Sequence, residues 1–341
     1  MKEVPSFIVG SGSAARAMSA ALGIVQSPQS PVRVLPPRQL KRGETLPPVS
    51  STSLLIIANP HALHAPMILE AERKGFTHIV CEKPAVISRD AIAALRSVRA
   101  EVIVCHGYRQ NWGPQRIRQA IARKEIGDLI SLEGRYWQSS AAAWAVEGRQ
   151  KREGWKNHPE LSGPFDTLMD LGTHWADLVT FLAGEKPALA RTRLSYFNAE
   201  AAHRDTHVHL ELDFPSGLHA WGSVSKTVHG SGNHLEVVAI GTDGMLKWNF
   251  ERPDELVQGR GRDVRIFSRS NDEKVASGLP AHHALGWLEG YASLFYEMLL
   301  RLDGKQGIGA PSLSESLDTA DLLLAAAAAD ERRRAPDLSR L

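Results

Sequence analysis

Phe7-Ile8-Val9 is a short apolar strand that runs straight into Gly10-Ser11-Gly12-Ser13-Ala14-Ala15. A helical spacing of Ala17, Met18, Ala21 and Leu22 follows. Gly-x-Gly-x-x-Ala between a strand and a helix is the context that a dinucleotide-binding turn requires. Gly10 permits the tight turn, Gly12 lets backbone come close to a pyrophosphate, and Ala15 is small enough for close helix–strand packing. The helix start then offers unpaired N–H groups and a partial positive charge to phosphate. A chain that opens this way is committed to a βαβ unit and a parallel sheet. Residues 10–15 are therefore cofactor-binding candidates, and a plain structural turn is the competing reading.

The next runs extend that pattern. Leu54-Leu55-Ile56-Ile57-Ala58 is almost wholly apolar, as a strand buried on both faces should be. Asn59-Pro60 breaks it, a helix is expected through Met67, Leu69 and Ala71, and Gly75 stops it. Ile79-Val80-Cys81 reads as the next parallel strand, which places Glu82-Lys83-Pro84 at a strand's carboxyl end, where open α/β sheets bind ligands. Pro84 also holds Lys83 out of the helical region. A helix is expected over Asp90–Val98 and a strand over Val102–Cys105, ending at His106-Gly107-Tyr108-Arg109. With a second strand near Val32-Arg33-Val34-Leu35, this makes five strands by residue 107, a doubly wound nucleotide domain over 1–107. The acid expected about 20 residues past the glycines, for a ribose hydroxyl, is missing. Pro36-Pro37-Arg38 stands there, with Lys41 and Arg42 behind it. Cations without an acid suit a 2′-phosphate, so the expectation is NADP ahead of NAD, with a solvated basic loop as the alternative.

Residues 108–341 read as a second, substrate-binding domain. Pro114–Lys124 is expected as a helix ended by Gly127, and Leu129–Trp137 alternates like a strand. Ser139–Leu161 lacks a period, holds Trp144, Trp155, Lys156 and His158, and reads as a long loop beside the site. Asp166 to Phe181 reads as a helix begun near Pro164 and stopped by Gly184. On it Asp170, His174 and Asp177 fall on one face, with Leu168, Leu171, Trp175, Leu178 and Leu182 on the other. Gly172 in mid-helix costs about 1 kcal/mol against Ala, which implies that something approaches closely there. The polar face is either this chain's chemistry or a plain solvent face. No third ligand accompanies the carboxylate–histidine pair, so no metal is expected. Thr206–Phe214, Gly217–Ser225, His234–Ile240 and Met245–Trp248 read as strands of a broad, mostly antiparallel sheet, with Gly241-Thr-Asp-Gly244 as a turn. His207, His209, Glu211 and Asp213 share one face, read as solvated or as a subunit contact. Leu285–Leu302 and Ser312–Arg334 read as helices.

Composition narrows the function. Forty Lys and Arg against 38 Asp and Glu leave a net charge of +2, which argues against a nucleic-acid or membrane-surface binder. Cys81 and Cys105 lie inside buried strands and look like reduced core thiols of a cytoplasmic protein. No apolar run reaches the roughly 20 residues of a membrane span, and no signal peptide is evident.

The ordered combination resembles the glucose–fructose oxidoreductase / inositol dehydrogenase (Gfo/Idh/MocA) family over nearly the whole length. It comprises Gly10–Ala15, Ala58-Asn59-Pro60-His61-Ala62-Leu63-His64, Glu82-Lys83-Pro84, Asp170-x-Gly172-x-His174-x-x-Asp177 and Gly241–Gly244. The resemblance implies an amino-terminal Rossmann domain and a carboxy-terminal α/β domain whose open sheet forms the interface of homodimers or homotetramers. It implies catalysis by Lys83, Asp170 and His174 on a sugar, inositol or related polyol. Ser11, Ser13, Ala14, Arg38, Ala58, Asn59, Pro60, His64, Glu82 and Lys83 join the glycines at the cofactor. Tyr108, Arg109, Trp155, Lys156, His158 and Asp170 are the expected substrate contacts. The missing ribose acid, and the short Ser162-Gly163-Pro164 where the family has a longer glycine run, depart from the pattern. The alternatives are a nucleotide-binding sensor without turnover and a reductase of an imine or other non-sugar substrate.

Overall fold

The computed structural model describes residues 2–26, 32–41, 43–142, 154–196, 204–273, 278–307 and 309–334. Arg42 and Trp144 lie outside these. The chain packs as two compact units. The first holds residues 1–115, 158–163 and 268–317, and the second holds 116–157, 164–267 and 318–341.

In the first unit the strands are β1 (Lys2–Val4), β2 (Ser6–Val9), β3 (Val32–Val34), β4 (Arg38–Leu40), β5 (Leu54–Ile57), β6 (His78–Cys81) and β7 (Glu101–Val104). Five form a parallel sheet in the order β4-β2-β5-β6-β7. The strand expected at 32–35 is not beside Phe7–Val9. It pairs with β1 in a separate parallel ribbon, Lys2 opposite Val32, and β4 takes the place beside β2. Pro5 and Pro36-Pro37 explain this. Prolines lack an N–H and interrupt both partners at one level, so one potential long pair becomes two short ones. Leu35 N–H to the Val4 carbonyl at 2.9 Å closes the ribbon there.

Helix α1 (Ser13–Val25) follows β2, and α2 (His64–Arg73) follows β5 after a 3₁₀ turn, His61–Leu63. Gly75, at φ +91°, ends α2 as expected. The helix expected over 90–98 is only one turn, Ile92–Leu95. Ser97 Oγ donates to the Ala94 carbonyl at 2.7 Å, a local bond that competes with continuing the helix. Met18, Ala21 and Leu22 of α1 share a core with Leu294, Phe295, Met298 and Leu302 of the helix Trp287–Leu302.

The second unit is built on an eight-stranded sheet: β8 (Leu129–Trp137), β9 (Leu189–Ser195), β10 (His207–Asp213), β11 (His219–Ser225), β12 (His234–Gly241), β13 (Met245–Asn249), β14 (Glu255–Arg260) and β15 (Asp263–Ser268). Its order is β15-β14-β13-β12-β8-β11-β10-β9, with β8 and β11 parallel inside a mostly antiparallel sheet. Strands β9, β14 and β15 go beyond those expected from the sequence. Helix α3 (Thr173–Ala183) lies on this sheet through Trp175, Leu178, Val179 and Leu182. A Cβ on Gly222 of β11 would stand 2.4 Å from the Trp175 ring, so the fully buried indole needs bare backbone beneath it.

The helix expected from Pro164 starts later and differently. Leu168–Gly172 is a π-turn, and α3 follows it to Gly184, which ends it at φ +74°. The wider turn shifts the phase. Asp177 is buried, whereas Asp170 and His174 stay partly exposed. The close neighbours of Gly172 are Leu168, Leu210 and Val224, so the missing side chain serves helix-on-sheet packing rather than a ligand.

Candidate active site

The carboxyl ends of β2 and β5 meet at Gly10. Its φ is +106°, and a Cβ there would lie 2.2 Å from the Ala58 carbonyl oxygen. The chain leaves β2 for β4 on one side and returns to β5 on the other, which makes this the switch point of the sheet. Gly12 has open space where a Cβ would stand, and no side chain caps α1. The first turn of α1 also lacks acids. Uncapped N–H groups beside a cradle free of side chains fit a pyrophosphate. Gln39, which sequence reasoning passed over, donates from its amide to the Gly10 carbonyl at 2.9 Å and ties β4 to the turn. Arg38 stacks over Phe7, 6.0 Å from the ring centre, and forms an ion pair with Glu44. Glu44 also accepts the Lys41 N–H at 3.0 Å.

Two further segments complete the strand ends of this unit. His64 is fully buried, with Nδ1 2.8 Å from the Pro84 carbonyl and Nε2 2.9 Å from the Asn59 carbonyl. It joins the Asn59-Pro60 segment to the Lys83–Pro84 peptide, which is cis. Burial lowers its pKa, and the two carbonyls oppose that by favouring a ring protonated on both nitrogens. Lys83 is buried, and its N–H donates to Glu82 Oε2 at 3.1 Å. Tyr291, remote in sequence, donates its hydroxyl to Glu82 Oε1. Burial pushes the Tyr291 phenol well up, and the Glu82 carboxylate adds to it. Burial likewise holds the Cys81 and Cys105 thiols well above their ordinary range, and both cysteines are free. His106 is pushed well down, by burial first and then by Lys83 and Arg109. Tyr108 is buried, and the Arg109 guanidinium is paired with Glu315 at 3.2 and 3.4 Å. His158 lies beside Glu160 at 3.3 Å.

The second unit collects a different set around the π-turn. Asp170 Oδ2 lies 2.8 Å from Lys226 Nζ and 3.1 Å from Lys156 Nζ. Lys226 also bonds Asp166 Oδ1 at 2.8 Å. Asp205, fully buried, accepts the backbone N–H groups of Asp166 and Leu168 at 2.6 Å each. Burial raises the Asp205 carboxyl to about 6, outweighing those two bonds and the attraction of Lys226. His174 packs edge-on to Tyr136 at 6.1 Å, and the Tyr136 hydroxyl donates to Asn233 at 2.7 Å. Trp155 lies under Lys156 Nζ at 5.8 Å, and Arg204 donates to the Lys156 carbonyl. The structure thus brings Asp170 and Lys156 together as the sequence proposed, and adds Lys226, Asp166, Asp205 and Arg204. A lysine at a strand end and an aspartate before a strand carry no spacing signal, which is why they were missed. Chemically, a pinned carboxylate and a half-buried imidazole one turn apart can orient a hydroxyl and exchange its proton. Among the described residues no group of three or more His, Cys, Asp or Glu is placed to hold a metal, and no helix is long and apolar enough to cross a membrane.

Residues 115–247 match the family model described as GFO/IDH/MocA C-terminal domain, which bears out the resemblance read from the sequence. A levoglucosan dehydrogenase of Pseudarthrobacter phenanthrenivorans is 26% identical over 227 residues, 59% of this chain and 56% of that protein. A glucose-6-phosphate 3-dehydrogenase of Bacillus subtilis is 26% identical over 194 residues, 51% of this chain and 52% of that protein. The matched stretch thus spans a little over half the length of each curated relative. A solved levoglucosan dehydrogenase in complex with NADH and levoglucosan superposes with a TM-score of 0.83 at 20% identity, covering 97% of this chain and 98% of that one. The fold is therefore that of this structural group.

Proposed function

We propose that this chain, whose residues 115–247 match the model of the GFO/IDH/MocA C-terminal domain, is a nicotinamide-dependent oxidoreductase acting on a hydroxyl-bearing carbon of a sugar, inositol or related polyol. The observation that carries the reading is the Gly10–Gly12 cradle at an uncapped helix start, in a chain that also holds a pinned carboxylate one turn before a histidine. The two named relatives are dehydrogenases of sugars. In the division of labour, residues 1–107 hold the cofactor and 108–341 hold substrate and subunit contacts.

Gly10 to Ala15 and the start of α1 would hold the pyrophosphate, with Ala58, Asn59, Pro60, His64 and Glu82 shaping the neighbouring wall. When bound, the nicotinamide supplies or accepts the hydride. His174 takes the hydroxyl proton in the oxidative direction and returns it in the reductive one, because an imidazole titrates near working pH. Lys83 hydrogen-bonds the reacting oxygen and stabilises developing alkoxide charge. Asp170 accepts a hydrogen bond from a substrate hydroxyl. Tyr108, Arg109, Trp155, Lys156 and His158 are the proposed contacts to the rest of the substrate.

NADP is the proposed preference, on Arg38 in the place of a ribose acid. Glu44 stands against it, since it already neutralises Arg38. Fluorescence titration with NADPH and NADH side by side tests this, followed by a turnover screen of sugars and polyols. Tighter NADPH binding supports Arg38 as a phosphate contact, and tighter NADH binding removes it. Binding of neither sinks the oxidoreductase reading. With an active substrate in hand, His174→Ala should lower kcat by roughly 100-fold or more, and a near-normal kcat takes the proton role from His174. Free buried thiols at Cys81 and Cys105 support a reducing, cytoplasmic setting.

A further inference from the structure

Lys226 follows directly on β11, and its backbone is fixed on both sides. Its N–H donates to the Thr206 carbonyl at 3.0 Å, and its carbonyl accepts the Ala141 N–H at 2.8 Å. The side chain is buried, and its ammonium reaches Asp166 and Asp170 at 2.8 Å each. Burial by itself would lower its pKa, and the two carboxylates more than reverse this, Asp170 first and then Asp166. Asp166 is fixed in turn by the Asp205 carboxylate on its own N–H. Asp170 carries Lys156 on its outer side, and that lysine is 54% exposed.

Stability does not require such an arrangement. A buried ion cluster is often matched or bettered by apolar residues of the same volume. What the cluster does supply is a fixed direction and a fixed charge for the carboxylate at its end. Asp170 lies in the π-turn, and its N–H donates to the Asp166 carbonyl at 2.9 Å, an ordinary α-helical bond, so the cation that bridges the two side chains fixes where the Asp170 carboxylate stands relative to Asp166.

We propose that Lys226 is a positioning residue for the reaction: by bridging Asp166 and Asp170 it holds Asp170 ionised and in place, as a hydrogen-bond acceptor for substrate. This rests on the oxidoreductase reading above. Its consequence is a division of roles. Asp170 orients a hydroxyl and keeps no proton, and the proton that moves goes to His174.

The test reads Asp170 directly. Selective ¹³C labelling of aspartate carboxyls, with Asp170→Asn for assignment, follows its titration in the wild type, Lys226→Met and Lys226→Arg. The groups that face it, Asp166, Lys156, Lys226 and Asp205, are the same in all but the one replaced. Lys226→Met should move the Asp170 titration up by about one unit or more, because a carboxylate that loses a neighbouring cation binds its proton more tightly. Lys226→Arg should return it most of the way. In turnover, Lys226→Met should lower kcat about 100-fold, the scale of a misplaced reacting group, and shift the acid limb of the kcat/KM profile upward. Lys226→Arg should recover to within about tenfold. An unmoved Asp170 titration, or a folded Lys226→Met with wild-type kcat and pH profile, overturns the proposal. If Lys226→Met does not fold, the pair Lys226→Met with Asp166→Asn removes one charge of each sign and is read the same way. A wild type that binds neither NADPH nor NADH refutes the oxidoreductase reading instead, and the carboxyl titration still decides whether Lys226 governs Asp170.

Discussion

Asp205 shows how a single buried carboxyl shapes this chain. Its pKa of about 6 in the folded state lies above the ordinary 3.8. The folded protein therefore binds that proton more tightly than the unfolded chain does, and this group's contribution to stability falls as pH rises between the two values. At neutral pH the cost is about 3 kcal/mol. The carboxylate is retained because the N–H groups at the start of this helical segment need an acceptor, and Asp205 serves those of Asp166 and Leu168. Chemical denaturation at about pH 4.5 and about pH 7.5 should show the wild type losing ground to Asp205→Asn at the higher pH, by an amount of this order. A pH-independent difference would mean that burial does not raise this carboxyl. Arg109 was legible as a polar residue at a strand end, but its pairing with Glu315 was not, because the two lie 206 positions apart. The same holds for Tyr291, which reaches Glu82 across 209 positions.

At the scale of elements, the helix-on-sheet contact of the second unit depends on what is absent. Trp175 is fully buried, and the backbone of Gly134 and Gly222 lies beneath it. Gly222→Ala would put a methyl 2.4 Å from the indole, and the sheet cannot give way without breaking its ladders. The variant should lose about 1–3 kcal/mol, seen as a lower Tm with little change in cofactor affinity. An unchanged Tm would mean that α3 slides freely on the sheet. The apolar stripe running through the π-turn and α3 was readable from spacing alone, because Leu168, Leu171, Trp175, Leu178 and Leu182 recur with a helical period. Its polar side was read less well. A π-turn leaves no mark in the order of residues, yet it changes the phase of what precedes it against His174, and Asp177, read as part of the polar face, ends up buried.

At the scale of the whole molecule, the open face of the eight-stranded sheet is the proposed subunit contact. Trp221 is 53% exposed there, between Glu133 on β8 and Glu211 on β10. An indole left half in water among carboxylates suits a surface covered by a second copy. Trp221→Glu would set three acids side by side, and light scattering should then report a smaller species than the wild type. A monomeric wild type, or an assembly indifferent to this change, removes the sheet from that role.

Local chemistry made much of this protein readable in its sequence. Gly-x-Gly-x-x-Ala after a strand needs only neighbouring residues to specify its turn, and a buried parallel strand such as Leu54–Ile57 declares itself by an unbroken apolar run. The strands beyond the alternating runs were harder. β15 is exposed along its length, so it has no buried face to impose a period of two. The place beside β2 went to Arg38–Leu40 rather than Val32–Val34 because Pro5 and Pro36-Pro37 break the ladder, and which fragment then pairs with which is settled in three dimensions. The surroundings of Asp170 belong to the same class. Lys226, Asp166 and Asp205 come from three separate segments, and only folding spends the desolvation of their charges on one another.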